Sequence, residues 1–282
     1  MRSRTPFEAN APAGVATPGL AARGFVDIGV VDAWVDELAR RDDWTASIPW
    51  EQLRNRPLTL REKAVVREFY AGAYQQNWNY NARHPWHEVI AKFRFLVANT
   101  VFGSLGKTLD GGCASGEVVR AFRAEGVDCW GFDLCPDLPD VAYPEARPFL
   151  RMGRADAIPF EPSDGFRTFV SYDVFEHVPI DCLERLPAEL LRLGVTQAAL
   201  VISNDTISPG HITIQSVDYY ERLFAGAGFR ILHELTPMLD PIPTPAGWNP
   251  TTESVIWAEY RRTGEPRNGW NAVPGHLFLR RD

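Results

Sequence analysis

The sequence predicts an α/β protein with a doubly wound, mostly parallel sheet and helices on both of its faces. The first observation is that apolar segments of strand length alternate with helical segments from residue 107 onward. The second is that helical segments such as GEVVRAFRAEG (116–126) end in glycine, which helix C-termini favour. The third is a length of 282 residues, 45% of them hydrophobic, which is enough for a large core.

Seven strands are predicted in this part of the chain. They cover residues 107–112, 127–134, 148–155, 167–174, 198–205, 229–236 and 276–281. A second glycine-terminated helix, SVDYYERLFAGAG (216–228), precedes the sixth strand. The segment 251–262 fits a strand or a helix by its pattern, and we expect a helix.

The first hundred residues have a different pattern. Residues 1–24 are rich in Pro, Ala and Gly and predict a loosely ordered leader, and residues 25–104 predict a helical cap. Helices are expected over VVDAWVDELAR, over 59–74 with a capping box of Thr59 and Glu62, and over 84–103 with Pro85 at its start. Residues 105–282 then form the main domain.

Composition excludes several classes of function. The formal net charge is −7 without a long Lys/Arg cluster, which argues against a nucleic-acid surface. No apolar run approaches the roughly 20 residues of a membrane span, and the N-terminus has no signal-peptide core. The four cysteines form no CxxC pair, so we expect reduced thiols in a cytoplasmic protein.

A glycine loop follows the first predicted strand. Gly112 and Gly116 allow a tight turn into the next helix, and Asp133 ends the second strand 21 residues after Gly112. An acid in that place accepts hydrogen bonds from ribose hydroxyls. Ala114 and Glu117 break the GxGxxG pattern, so the loop predicts a nucleoside site without a strong diphosphate cradle. Alternatively, the glycines only form the strand–helix turn.

Five segments in order resemble the motifs of class I S-adenosylmethionine-dependent methyltransferases. They are LDGGCASG (109–116), GFDL (131–134), GRADAIPF (153–160), FVSYDVFEHVP (169–179) and HITIQSVDYYERLFAGAGFRI (211–231). One departure is Ala114, which stands where the family commonly has a glycine and would slightly crowd the methionine moiety.

The resemblance implies a Rossmann-like seven-stranded sheet with an antiparallel last strand, and methyl transfer to O, N or C of an acceptor. It implies S-adenosyl-L-methionine as cofactor and S-adenosyl-L-homocysteine as product. The cofactor-binding residues expected on these motifs and on the cap are Asp110, Gly112, Cys113, Gly116, Asp133, Leu134, Asp156, Ala157, Tyr172, Asp173, Tyr70 and Tyr74.

The stretch DVFEHV (173–178) has three interpretations. It can serve packing and capping beside the cofactor. Alternatively, His177 or His211 is a catalytic general base, since an imidazole with a pKa near 6.5 suits that task. Finally, Asp173, Glu176, His177 and His211 resemble the metal cluster of some O-methyltransferases. The prediction is a site without metal, so that a chelator leaves activity intact.

Aromatic residues concentrate in the segment 69–88, which is expected to close over the methionine end of the cofactor. They are Tyr70, Tyr74, Trp78, Tyr80 and Trp86. We therefore expect a small organic acceptor, either an aromatic compound or another metabolic intermediate, rather than nucleic acid or a membrane. Its specificity is expected to be shaped by the proline-rich loop 237–250. Two alternative functions stay open, namely a nicotinamide-dependent oxidoreductase and a non-catalytic cofactor-binding protein. The oligomeric state is open as well, with a homodimer as one candidate.

Overall fold

The computed structural model describes residues 48–75, 85–135, 138–203, 210–232 and 276–282. All of them belong to one compact unit, Thr45–Asp282. The predicted leader, the helix over VVDAWVDELAR, Trp78, Tyr80, the loop 237–250 and the segment 251–262 lie outside the described residues.

A seven-stranded sheet forms the centre of the molecule, with strand order β3-β2-β1-β4-β5-β7-β6. Its strands are β1 (Thr108–Gly111), β2 (Cys129–Asp133), β3 (Leu150–Met152), β4 (Thr168–Tyr172), β5 (Gln197–Val201), β6 (Arg230–Ile231) and β7 (His276–Arg280). Strands β1 to β5 are parallel to one another, and β7 is antiparallel to both of its neighbours, β5 and β6. The predicted fold class is confirmed, including the antiparallel last strand.

The described helices surround this sheet and join its strands. They are α1 (Trp50–Leu53), α2 (Leu60–Gln75), α3 (Pro85–Phe102), α4 (Glu117–Ala124), α5 (Leu138–Val141), α6 (Ile180–Leu183), α7 (Leu186–Arg192) and α8 (Val217–Ala225). Shorter 3₁₀ turns cover Arg147–Phe149, Pro162–Asp164 and Phe175–His177. None of the helices described is long and apolar enough to cross a membrane.

The central strands are buried on both faces, as parallel strands between two helical layers must be. Every residue of β4 and β5 is buried. Along β4, Phe169 packs in the cluster that contains α6, α7 and α8, while Val170 and Tyr172 pack in the cluster that contains α3 and α4. This alternation confirms helices on both faces of the sheet. All four cysteines are free and buried.

The residues predicted to cap helix ends form the expected hydrogen bonds. The backbone N–H of Thr59 donates to Glu62 Oε2 at 2.7 Å, and the N–H of Glu62 donates to Thr59 Oγ1 at 3.3 Å, which completes the capping box of α2. Helix α3 begins at Pro85 as expected. Its residues Val97 and Ala98 belong to the core of the sheet, whereas α1 and α2 pack through Leu53 and Val66 in a smaller cluster. The division into a cap and a main domain at residue 104 stays a prediction.

Chain order reverses between β1 and β4, which are neighbours in the sheet although β2 and β3 come between them in sequence. In open α/β sheets, ligands bind beyond the carboxyl ends of the strands at such a reversal. The residues after β1, β2 and β4 are therefore the place to look for a site.

Candidate functional site

The loop after β1 depends on its two predicted glycines. Gly112 and Gly116 have φ values of 78° and 82°, in the region that favours glycine. A Cβ on Gly116 would lie 2.6 Å from Cβ of Ala146, and a Cβ on Gly112 would overlap the side chain of Val174. Both glycines are thus required by the turn and by the packing of neighbouring segments against it.

Asp133 lies at the carboxyl end of β2, next to this loop, and is 6% exposed. Its Oδ2 accepts a hydrogen bond from the N–H of Ala114 at 2.9 Å, and its Oδ1 accepts one from the N–H of Cys135 at 2.9 Å. Two backbone donors therefore fix the orientation of the carboxylate at the carboxyl edge of the sheet.

Asp110 is a buried acid within β1, with 2% exposure. Its Oδ2 accepts no hydrogen bond from the part of the chain that the structure describes. Burial raises the pKa of this carboxyl to about 8; the Arg94 guanidinium opposes the rise and the Asp133 carboxylate adds to it. A buried polar atom without a partner is uncommon in native proteins and marks a candidate ligand contact.

Ala114 has a φ of 45°, in the left-handed region that costs a residue with a Cβ roughly 1–2 kcal/mol. Ala114→Gly should relieve this strain, and after the entropy cost of glycine a gain of about 0.5–1 kcal/mol in the free energy of unfolding is expected. Urea unfolding of the two proteins measures it. The control is Ala146→Gly, because Ala146 has a φ of −85° and glycine should there destabilise the protein. A loss of stability in Ala114→Gly would contradict the strain.

The Asp156 side chain, predicted to face an adenine, is bound by an arginine two residues earlier. Arg154 donates from Nε to Oδ1 at 2.9 Å and from Nη2 to Oδ2 at 2.6 Å, and Arg185 lies 3.4 Å from Oδ2. Burial raises the pKa of Asp156 but the Arg154 contacts outweigh it, so the net pKa is lowered. Backbone contacts also join Arg154 and Ala157 in this turn. The adenine contact of Asp156 and Ala157 stays a prediction.

Two apolar side chains are exposed beside Asp133. Leu134 follows Asp133 directly and is 36% exposed. Met152, which is the register partner of Asp133 on β3, is 54% exposed. Apolar surface at the edge of the sheet suits a flat, aromatic group. Leu134 was predicted from its motif, whereas Met152 carried no signal in the sequence.

The end of β4 carries Tyr172 and Asp173 against an arginine of α3. Asp173 has a φ of 54°, and its Oδ2 accepts from Nη2 of Arg94 at 2.7 Å. The guanidinium carbon of Arg94 also lies 4.5 Å from the centre of the Tyr172 ring. The sequence analysis did not identify Arg94. A signal was present, because Arg94 lies four residues after Ile90 and three before Val97 and so places a charge on the apolar face of the helix.

Glu176, His177 and His211 form a compact group beyond β4. A carboxylate oxygen of Glu176 and one ring nitrogen of each histidine all lie within 4.8 Å of one another. The His177 and His211 ring centres are 4.7 Å apart. Burial lowers the pKa of His177 to about 3, with His211 acting in the same direction, and burial together with Asp173 raises the pKa of Glu176 well above its ordinary value.

Tyr70 of α2 completes this group. Its hydroxyl contacts Nδ1 of His177, and its ring centre lies 5.0 Å from that of His177. Gly210, with a φ of 85°, leaves room for the hydroxyl because a Cβ there would overlap it. The side chain of Tyr74 lies outside the described residues, so its predicted contact is not tested.

The segment after β5 is held against the Phe175–His177 turn. The carbonyl of Glu176 accepts from the N–H groups of Ile212 at 2.7 Å and Thr213 at 2.9 Å, and Thr213 Oγ1 donates to the carbonyl of Val178 at 2.6 Å. From the N-terminal side, Arg54 Nε donates to the carbonyl of His211 at 3.1 Å. These contacts explain why residues 34 positions apart in the sequence, His177 and His211, meet.

Eleven of the predicted residues therefore fall into three neighbourhoods, whereas Asp156 and Ala157 lie in a separate turn with Arg154. Asp110, Gly112, Cys113, Gly116, Asp133 and Leu134 lie at the ends of β1 and β2; Tyr172 and Asp173 lie at the end of β4; Tyr70, His177 and His211 lie beyond it. Asp173 pairs with Arg94 and is not one of the three donors of the Glu–His–His group, although its charge acts on Glu176. Burial raises the pKa of the Cys113 thiol well above its ordinary value, which argues against a nucleophilic role.

Comparison with known structures supports this architecture. Magnesium protoporphyrin IX methyltransferase from Synechocystis PCC 6803 was solved with bound S-adenosylhomocysteine; its TM-score is 0.51 at 14% identity, over 78% of this chain and 100% of that one. The same enzyme with bound S-adenosylmethionine gives 0.51 at 15% identity, over 79% and 99%. A TehB-like methyltransferase from Corynebacterium glutamicum gives 0.44 at 18% identity, over 76% and 96%.

None of the curated proteins compared with the chain matches it. The family model described as a methyltransferase domain matches residues 78–234, which are 157 of the 282 residues. The chain therefore belongs to the methyltransferase-domain family, as its five sequence motifs predicted.

Proposed function

We propose that the protein transfers a methyl group from S-adenosyl-L-methionine to an oxygen or nitrogen atom, or a carbon, of a small organic molecule. The observation that carries the proposal is the Asp133 carboxylate, which two backbone donors orient at the carboxyl edge of the sheet beside the loop after β1. An acid in this position suits the two hydroxyls of a ribose, because a carboxylate can accept about four hydrogen bonds.

Other residues present at this edge fit the rest of such a cofactor. The buried Oδ2 of Asp110 can accept from an ammonium or hydroxyl donor, since nothing in the described chain donates to it. The exposed surfaces of Leu134 and Met152 suit the faces of an adenine ring. The structural neighbour from Synechocystis binds S-adenosylmethionine and S-adenosylhomocysteine on the same fold.

The acceptor side of the site is proposed to be Tyr70, His177 and His211, beyond the end of β4. His211 is 7% exposed and His177 half-buried, so a molecule bound there would be shielded from water. We assign the removal of the acceptor's proton to the two histidines, with His211 ahead because the lowered pKa of His177 makes it a weak base. A small acceptor is favoured over nucleic acid by the net charge of −7.

The cofactor, when bound, supplies an electrophilic methyl group on a positively charged sulfur. The residues of the chain then have to orient the acceptor in line with that group and exclude water. Asp133 and the loop after β1 would hold the nucleoside end, and Tyr70 with the histidines would hold the acceptor. The four free cysteines support a cytoplasmic location for this reaction.

Calorimetric titration of the full-length protein with S-adenosylmethionine and, separately, NADH tests the cofactor. We expect binding of S-adenosylmethionine alone; binding of NADH in its place would point to an oxidoreductase. A panel of phenols, carboxylic acids and amines, followed by S-adenosylhomocysteine release, then tests turnover. Tight binding without release on any acceptor would instead favour a non-catalytic protein.

A further inference from the structure

We propose that Glu176, His177 and His211 bind a divalent transition-metal ion, with the acceptor oxygen as a further ligand. The proposal begins with geometry, since one donor atom from each residue lies within 4.8 Å of the other two. Around an ion with bonds of about 2.0–2.2 Å, neighbouring donors lie roughly 3–3.5 Å apart. Side-chain adjustments of about 1 Å would therefore bring the three donors into a coordination sphere.

A second observation concerns the carboxylate of Glu176. The residue is 0% exposed, and its Oε1 accepts from the N–H of Ser203 at 3.2 Å. Its Oε2 is buried and accepts no hydrogen bond from the residues described. Arg94, an arginine close enough to act on Glu176 electrostatically, directs its hydrogen bond to Asp173 instead. Buried carboxylates are normally paired or bound to a metal. We therefore take Oε2 of Glu176 as the ligand atom for a cation.

The backbone holds the three residues in place before any ion binds. Glu176 and His177 are consecutive in a 3₁₀ turn, and the carbonyl of Glu176 anchors the segment that carries His211 through Ile212 and Thr213. His177 Nδ1 lies 3.2 Å from the carbonyl oxygen of Gly210 and contacts the Tyr70 hydroxyl. Metal-bound histidines use their second nitrogen in this way, which assigns Nε2 of His177 to the ion.

The donor set indicates the kind of metal. Two imidazoles and one carboxylate suit Zn²⁺, Mn²⁺, Fe²⁺ or Co²⁺, whereas Mg²⁺ and Ca²⁺ prefer sites made of oxygen alone. Three protein ligands leave at least one position open, as in catalytic sites. Asp173 is not one of the three clustered donors, and its carboxylate is already ion-paired with Arg94 at 2.7 Å.

The catalytic consequence rests on the proposed function. An acceptor hydroxyl would lose its proton to solvent as it enters and binds the ion, because a divalent cation lowers the pKa of a bound oxygen. The resulting oxygen anion would form a bond to the methyl carbon while the carbon–sulfur bond breaks and leaves a neutral thioether. In this form of the site, the histidines act as ligands and the cation takes over the task assigned above to an imidazole base.

Metal binding can be measured without any cofactor or acceptor. The full-length protein, freed of metal by a chelator, is titrated with Zn²⁺ and Mn²⁺ by calorimetry and with Co²⁺ by visible absorption. We expect one ion per chain, and at least about 10-fold weaker binding in His211→Ala and in the isosteric Glu176→Gln. Asp128→Asn is the control and should bind the ion as the unmodified protein does, because Asp128 is exposed, directly precedes β2 and pairs with Arg123 at 2.8 Å.

Equal binding by the unmodified protein and by Glu176→Gln and His211→Ala would overturn the proposal. Should His211→Ala fail to fold, Glu176→Gln decides: protein ligands shift the visible absorption of Co²⁺ from that of the hydrated ion, and this shift should be lost or weakened in Glu176→Gln. Metal binding without S-adenosylmethionine binding would contradict the proposed function and leave the metal site standing. Methyl transfer at full rate by a protein that binds no metal would contradict the metal site and leave the proposed function standing.

Discussion

Asp133→Ala is expected to lower the affinity for S-adenosylmethionine at least about 100-fold, as measured by calorimetry. The two hydrogen bonds to ribose hydroxyls that the carboxylate would accept are each worth roughly 1.5–3 kcal/mol because the acceptor is charged. The substitution also removes the acceptor for the N–H groups of Ala114 and Cys135. The loop after β1 then keeps only its backbone contacts to β2, in which the N–H groups of Gly112 and Cys113 donate to the carbonyl of Phe132.

Asp128→Ala is the matched control for this experiment. Asp128 directly precedes β2, at the opposite end of the strand, where it is exposed and pairs with Arg123 at 2.8 Å. Its removal should leave cofactor affinity as it is. If Asp133→Ala binds S-adenosylmethionine as tightly as Asp128→Ala does, the cofactor site does not lie at the end of β2.

Gly116→Ala should reduce the free energy of unfolding by about 2–5 kcal/mol. The positive φ costs an alanine roughly 1–2 kcal/mol, and overpacking against Ala146 and Leu150 adds about 1–3 kcal/mol. Since Gly116 directly precedes α4, relief of the clash would also displace the loop after β1, and we expect weaker cofactor binding. Urea unfolding and calorimetry measure the two effects.

Gly126→Ala separates backbone strain from the clash. Gly126 has a φ of 83°, almost the same as Gly116, but a Cβ on it would meet nothing within 4 Å. Only the strain of about 1–2 kcal/mol should remain, with cofactor affinity unchanged. Equal losses of stability in the two variants would mean that the segment around Ala146 yields freely and that the predicted crowding is absent.

The fold was predictable because its signals are local. Alternating apolar segments, the capping box at Thr59 and glycines at helix ends each depend on residues close in sequence. The edge strands were harder, since β3 covers only Leu150–Met152 of the predicted 148–155. Pro148 lies in a 3₁₀ turn that occupies the start of the predicted strand, and an edge strand has few pairing partners to override such a local preference.

The site was predictable only where a motif fixed the spacing. Asp133 was found because it ends β2 at a set distance from the glycine loop. Arg94 was missed because its partner Asp173 is 79 residues away, a pairing that no local pattern encodes. Asp156 forms an ion pair with Arg154, which is only two residues earlier in the sequence. That pairing was not predicted, because the motif around Asp156 indicated a contact to the cofactor.

The position of β7 determines the order in which the sheet can form. Residues 276–280 lie between β5 and β6, so β6 has no neighbour in the described sheet until the chain has been synthesised to residue 280. Strands β1 to β5, by contrast, are all synthesised before β7. Among the described strands, β5 therefore gains its second neighbour only after about 75 further residues have been translated, and an unpaired strand edge is a surface to which chaperones bind.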